Sequence, residues 1–254
     1  MEAFASFKFI KIKKDSITRC IKVFLPIFMK STNKHLNENI KYYYHSTDIY
    51  NSLIYTKNNS SKNISSQKER VEFLFSKIKK KFLRFNKIDN QFIFSEGSLN
   101  SKIMIIGDMP SKNDVTEMKL FTGAEGELLN KMLGAINLDR NKVYLTNAIN
   151  FRVDQKNVLN NTDAQLIKKY LIDHILLVKP SIIYLLGSFA LKILFDDKYN
   201  LTTDRGKWIN LNIKNLGILV LPSFHPSFLL RHENQKRNAW VDLQNLQKKI
   251  DGLK

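Results

Sequence analysis

Residues 102–110 read KIMIIGDMP. Four large apolar residues, Ile103, Met104, Ile105 and Ile106, stand in a row and stop at Gly107 and a proline-bearing turn. Apolar residues at consecutive rather than alternate positions mark a strand buried on both faces, as inside a parallel sheet. Three later stretches have the same form: VYLT at 143–146, IIYLL at 182–186 and ILVL at 218–221. Helical stripes separate them. Leu128, Leu129, Met132, Leu133 and Ile136 recur at a spacing of three to four. Thr162-Asp163-Ala164-Gln165 matches a capping box and opens a helix carrying Leu166, Tyr170, Leu171, Ile175 and Val178, which Pro180 ends. Residues 71–85 suit a basic amphipathic helix, and the last helix places Trp240, Leu243, Leu246 and Ile250 on one face. Strands alternating with helices predict βαβ units and a three-layer α/β/α domain around a central, mainly parallel four-stranded sheet.

The rest of the chain divides near residue 70. Residues 71–254 form the predicted domain. Residues 1–70 read as a basic N-terminal extension and polar linker, with a soft stretch of Asn, Ser and Lys at 58–66. The first 45 residues hold nine Lys/Arg against three Asp/Glu, which suits a targeting presequence, an arm on DNA or a plain appended helix. The whole chain carries 41 Lys+Arg and 23 Asp+Glu, a formal charge of +18, which favours a polyanionic partner, nucleic acid first. The single cysteine, Cys20, excludes an internal disulfide framework and a thiolate-held metal cluster, and suits a reducing setting such as the bacterial cytoplasm. No apolar run is long enough to cross a membrane, and no cluster has metal-ligand spacing.

In parallel sheets, ligands bind beyond the carboxyl ends of the strands. Here those ends lead into Gly107-Asp108-Met109-Pro110, Asn147, Gly187-Ser188 and Pro222-Ser223-Phe224-His225-Pro226-Ser227. Polar and turn residues therefore converge on one edge. Phe121, in a Gly-flanked loop, offers a flat stacking surface or a core anchor. Asn147 offers a donor and an acceptor side by side, matching the N3–H and O4 edge of uracil, or else caps a turn. His225, after a strand and before a Pro-Ser turn, suits a developing oxyanion. His35, His45, His174 and His232 lack such a setting and read as surface or packing residues.

Residues 102–250 resemble the uracil-DNA glycosylase superfamily, most like its family 4. That family's G-E-x-P-G and P-F-x-G-x-A-G-x-L-L motifs are matched, at the same spacing, by Gly107-Asp108-Met109-Pro110-Ser111 and by residues 120–129 (LFTGAEGELL). Its T-N-x-x-x-x-R segment is matched by residues 146–152, its L-G by Leu186-Gly187, and an R-G-x-W-like segment by residues 205–208. Its H-P-x-x-L-L-R is matched in full by residues 225–231, and its K-R-x-A-W-x-D-L by residues 236–243. The resemblance implies that Phe121 stacks on a flipped uracil, Asn147 reads its edge and His225 bonds O2 as the base leaves. Gly107 and Met109 would border the base. Asp108 would stand near C5 and exclude thymine's methyl, and Asp114 would orient water. Leu229 or Leu230 would fill the vacated stack, and Ser188, Ser227 and Arg231 would contact phosphates. It implies base excision repair on uracil-containing DNA, single- or double-stranded, by a monomer that releases the base without a covalent intermediate.

Departures from the family bear on this expectation. Family 4 holds a 4Fe-4S cluster on four cysteines. Cys20 alone cannot supply that set and Phe151 stands at one of its positions, so no cluster is expected; Phe82, Phe85 and Phe151 would pack in its place. Asp108 replaces Glu, Ser111 replaces a motif Gly, and the usual R-P-P-G-N-R becomes residues 152–157 (RVDQKN). Two other readings stay open: a DNA-binding paralogue without turnover, and a glycosylase for another deaminated base such as hypoxanthine.

Overall fold

The computed structural model describes residues 66–85, 92–153 and 159–252. Cys20, Lys156, Asn157 and nearly all of the basic extension lie outside them. Among the described residues are eight α-helices and one mixed sheet: α1 (Gln67–Phe82), β1 (Ser95–Gly97), β2 (Ile103–Gly107), α2 (Lys112–Glu117), α3 (Gly123–Gly134), β3 (Tyr144–Asn147), α4 (Asn161–Val178), β4 (Ile182–Leu186), α5 (Ser188–Phe195), α6 (Leu201–Asp204), β5 (Ile209–Ile213), β6 (Leu216–Ser223), α7 (Pro226–Arg231) and α8 (Lys236–Asp251). The sheet order is β1-β3-β2-β4-β6-β5. The four expected strands are its parallel interior, with Gly107 beside Asn147 and Leu186 beside Ser223, so their carboxyl ends align. Every residue of β2, β3 and β4 is buried.

Two antiparallel edge strands complete the six. β1 is three residues long, too short for periodicity to show. β5 pairs with β6 through a two-residue turn in which Lys214 has φ 53.

Alternation along the strands separates two apolar layers. Ile103, Ile105, Leu145, Tyr184 and Leu221 face a core completed by Leu129 and Leu133 of α3, Leu229 of α7, and Leu243 and Leu246 of α8. The opposite face turns toward α4, where the Tyr144 hydroxyl meets His174 Nε2 at 2.8 Å. His174, 2% exposed, also stacks on Phe94 with centroids 4.3 Å apart, so it is a packing residue, as expected.

Local boundaries differ from the sequence expectation at three places. Ser66 and Glu69 form a capping box, so α1 begins before residue 71. The box that opens α4 is Asn160 with Asp163, not Thr162 with Gln165; Asp163 Oδ2 accepts from the Asn160 N–H at 3.1 Å and Asn160 Oδ1 from the Asp163 N–H at 2.8 Å. Asn is among the strongest N-caps, ahead of Thr. Trp240 is 42% exposed, because Ala239, Asp242, Leu243 and Leu246 form the inner stripe of α8.

Candidate active site

At the carboxyl edge of the sheet the ends of β2 and β3 are tied together. The Ala148 N–H donates to Gly107 O at 2.8 Å, and the Ile149 N–H to Asp108 O at 3.1 Å. Above them Gly107 is the floor. A side chain there would meet Asn147 Oδ1 and would come within 2.7 Å of Phe121 Cζ. The bare α-carbon therefore lets the carboxamide and the ring stand together. Phe121 lies in the left-handed region (φ 49) and its ring faces that of His225, with centroids 5.8 Å apart and planes inclined by 29°. Sequence reasoning left Phe121 between ligand surface and core anchor. The structure brings it, Asn147 and His225 into one slot.

Two of these groups are buried without a partner: Asn147 Oδ1 and His225 Nε2. Buried polar atoms are nearly always bonded, and an orphan calls for a reason. His225 caps α7, and its Nδ1 accepts from the Ser227 N–H at 3.3 Å and lies 2.8 Å from Ser227 Oγ. With Nδ1 accepting, the neutral ring carries its proton on Nε2. Burial pulls the His225 pKa down to about 4; Arg231 acts in the same direction and Asp114 opposes. The imidazole is thus neutral near pH 7, with an unused N–H donor facing the slot.

The Phe121 loop is braced from beneath. Asp114 Oδ1 accepts from the Thr122 N–H at 2.7 Å and the Thr122 hydroxyl at 2.8 Å, while Oδ2 accepts from the Ser111 N–H at 3.0 Å. Asp114 is 3% exposed. Its bonds are those of a positioning residue, not of a group that orients water. Arg140 adds a second brace: it pairs with Glu96 through two 2.8 Å bonds and donates to Leu120 O at 2.6 Å. Sequence reasoning missed Arg140 and Glu96. The question raised by Ser111 is settled, because it caps α2 at φ −74, a conformation open to any L-residue.

Asp108 leaves the slot for its neighbour. Its Oδ1 accepts from the Ala190 N–H of α5 at 2.7 Å. The carboxylate packs against Gly187 so closely that any side chain there would collide with it, and Gly187 itself holds φ +112. Burial pushes the Asp108 pKa up to about 6, against the opposing pull of the Ala190 and Phe189 N–H groups. Met109 is half-buried in the same turn.

His225 is positioned from β6 and α8. Asp242, fully buried, accepts from Ser223 Oγ at 2.6 Å and from Arg205 Nε at 3.1 Å, and the Arg205 guanidinium also reaches Asn238 O. The R-G-x-W and D-L segments are thereby joined across 37 residues of chain. On α7, Leu229 is 1% exposed and belongs to the core, which removes it as a wedge; Leu230 is 37% exposed and stays available. Ser188 and Arg231 are exposed, and Ser227 is half-buried beside His225.

Nothing at the Phe151 position fits an iron–sulfur cluster. Phe151, 1% exposed, packs against Phe82 at 5.0 Å and against Phe85 and Phe92 at 5.4 Å each, closing that place with rings where the cluster needs thiolates. Among the described residues no group of His, Cys, Asp and Glu could hold a metal ion, and no helix is long and apolar enough to cross a membrane.

A family model described as Uracil DNA glycosylase superfamily matches residues 94–245. The chain is 29% identical over 156 residues to the Type-4 uracil-DNA glycosylase of Sulfurisphaera tokodaii, covering 59% of this chain and 71% of that protein. It is 33% identical over 141 residues to the one from Saccharolobus solfataricus (53% of this chain, 65% of that protein). It is 28% identical over 160 residues to the one from Thermotoga maritima (61% and 80%).

Proposed function

The chain belongs to the uracil DNA glycosylase superfamily, and we propose that it flips uracil out of DNA and hydrolyses its N-glycosidic bond to leave an abasic site. The observation that carries this reading is the pair of buried, unpartnered atoms, Asn147 Oδ1 and His225 Nε2, beside the Phe121 ring. Uracil supplies what both lack: its N3–H donates to Asn147 Oδ1, its O4 accepts from Asn147 Nδ2, and its O2 accepts from His225 Nε2–H. Cytosine presents the reverse polarity on that edge and leaves the Asn147 oxygen unsatisfied, a loss of about 1–3 kcal/mol.

A base within a duplex is out of reach, so it is extruded, at about a few kcal/mol and less at a mismatch. Cleavage of the C1′–N1 bond leaves negative charge on the uracil and an oxocarbenium-like sugar. A neutral imidazole donor at O2 holds that charge without giving up its proton; losing such a donor typically slows a reaction by about 10²–10³-fold. Asp108, on the wall of the cavity beside the slot and ionised above about pH 6, is the carboxylate available to steady the sugar cation and its attacking water. No side chain is required to bond the sugar covalently, so the reading is a monofunctional, monomeric hydrolase. It works without an iron–sulfur cluster, and the Phe82–Phe85–Phe92–Phe151 packing takes that structural role.

A second reading, a wider base range that includes hypoxanthine, draws on one feature. Asp108 is turned onto α5, which withdraws the carboxylate from the C5 side. Both readings are tested by incubating the protein with oligonucleotides bearing one uracil, or one hypoxanthine, in single strands and duplexes, then cleaving abasic sites with alkali. Uracil-dependent cleavage that His225→Ala and Asn147→Ala each slow at least 100-fold supports the glycosylase. Salt-sensitive binding without any cleavage leaves only a binding protein.

A further inference from the structure

Beside the base slot lies a second space. A cavity of about 450 Å3 runs between α5 with the turn that follows it and α7. His225 is common to it and the slot, Asp108 and Gly187 line it, and neither Phe121 nor Asn147 is on its wall. A base held there cannot be read by the carboxamide, so this is a separate place within one nucleotide's reach of the first. Its volume falls inside the range of about 300–1,000 Å3 typical of small-molecule sites.

The walls are those of a nucleotide site. Ser188 on one side faces Ser227 and Arg231 on the other, two hydroxyls and a cation suited to a phosphodiester; Lys192 on the same wall is paired with Asp197 at 2.9 Å, and Asp108 and Asp196 also line the cavity. Tyr199 and Phe228 are the aromatic surfaces, each braced by another ring: Tyr199 edge-on to Phe195 at 5.1 Å, and Phe228 stacked on Phe224 at 4.8 Å. The turn that presents Tyr199 is strained. Asp196 holds φ 57 and ψ −141, a conformation favoured by glycine, and is anchored by Lys168 at 2.5 Å. Strain of this kind persists where the surroundings enforce it, and it gathers at ligand sites.

We propose that this cavity is a second subsite that takes the nucleotide flanking the extruded uracil, stacking its base on Tyr199 while Arg231 and the Ser188 hydroxyl hold the adjoining phosphate. The proposal rests on the glycosylase reading for its substrate. It makes the enzyme sensitive to what stands next to uracil, which the base slot alone does not.

The test uses single-stranded oligonucleotides with one uracil, in which the nucleotide on one side or the other is replaced by tetrahydrofuran, a sugar without a base. Uracil release is followed as kcat/KM. Binding is followed by anisotropy on the same strands with thymine in place of uracil. For the wild type, one of the two replacements should lower both kcat/KM and affinity by about 5- to 150-fold, the range of one base–aromatic stack. Tyr199→Ala should weaken the intact strand by a similar factor and respond no further to the missing base; Tyr199→Phe, which keeps a ring, should restore the dependence. Equal kcat/KM and affinity on all three strands would overturn the subsite and leave the glycosylase standing, as would full flank dependence in Tyr199→Ala. Flank-dependent binding through Tyr199 without uracil release would retain the subsite and sink the glycosylase.

Discussion

Asp114 separates two accounts of the same motif residue. If it orients water, its removal should stop turnover and leave the fold alone. The structure says otherwise: three donors end on its two oxygens, two from Thr122 and one from Ser111, all at 3.0 Å or less. Hydrogen bonds to a charged group are each worth about 1.5–3 kcal/mol, and buried donors left bare lose that in full. With partial relaxation and water entry, Asp114→Ala should lower stability by about 3–6 kcal/mol, part of it the lost cap of α2. Phe121 is the residue before Thr122, so the same change frees the stacking ring, and KM should rise along with the fall in kcat. Asp114→Asn keeps one carbonyl oxygen for Thr122 but turns an NH2 toward the Ser111 N–H. It should lose about 1.5–3 kcal/mol and retain most activity. Urea melts followed by fluorescence of Trp208 and Trp240, set beside uracil-release kinetics, give both numbers. The reasoning fails if Asp114→Ala melts within about 1 kcal/mol of wild type while kcat collapses at constant KM, since that is the signature of a group acting only in the transition state.

Other outcomes follow from the same geometry. Activity should fall on the acid side with a midpoint near pH 6, the raised pKa of Asp108. In Asp108→Asn that limb should vanish from whatever activity remains, and the next loss should come near pH 4, where His225 gains a proton and Nδ1 can no longer accept; an unchanged limb in the variant would assign it elsewhere. His174, fully enclosed and held down to about 3, stays neutral in the fold while the unfolded chain protonates near 6.5. The unfolded state then binds more protons, so stability drops as pH falls below 6.5, by about 1.4 kcal/mol per unit down to the folded pKa. His174→Phe should flatten the pH dependence of stability by that slope between pH 6 and 4, read from melts across the range. Leu229→Ala should cost about 2–5 kcal/mol as a core cavity, whereas Leu230→Ala should leave the melt in place and slow release from duplex more than from single strands; equal effects on both substrates would remove Leu230 as a wedge.

The parallel interior was legible because each short apolar run gives way at once to turn or polar residues, a context that the equally apolar Ile175-Leu176-Leu177-Val178 at the end of α4 lacks until the helix stops. KIMIIG ends on Gly107, and IIYLL runs into Gly187, against which the Asp108 carboxylate packs. The edge strands show two kinds of loss. Ile209-Asn210-Leu211-Asn212-Ile213 does alternate, and Lys214-Asn215 is a turn, so β5 was there to be read. β1, Ser95–Gly97, was not: it is three residues of no strand preference, held in place by pairing to β3. The α4 cap was missed by two residues because both Asn160 and Thr162 offer a side-chain oxygen, and only the backbone chooses between them.

Within the site, the division falls between residues that face the ligand and residues that hold them. Phe121, Asn147 and His225 follow strands or sit at glycine-flanked turns, so chain order alone brings them to one edge. Their supports are drawn from far along the chain. Arg140 reaches Glu96 across 44 residues, and Arg205 reaches Asp242 across 37. A charge of that kind looks like surface in a sequence with 41 lysines and arginines, and only the fold shows that these two are taken up by buried or half-buried carboxylates. Asp108 and Asp114 mark the same boundary from the other side. Both are acids in a motif that suggests chemistry, yet one oxygen of Asp108 is committed to α5, and Asp114 gives one oxygen to the Phe121 loop and the other to the cap of α2. An acid's residue type tells what it can accept. Which donors reach it first decides whether it touches substrate, and of the two, only Asp108 also lines the cavity beside the slot.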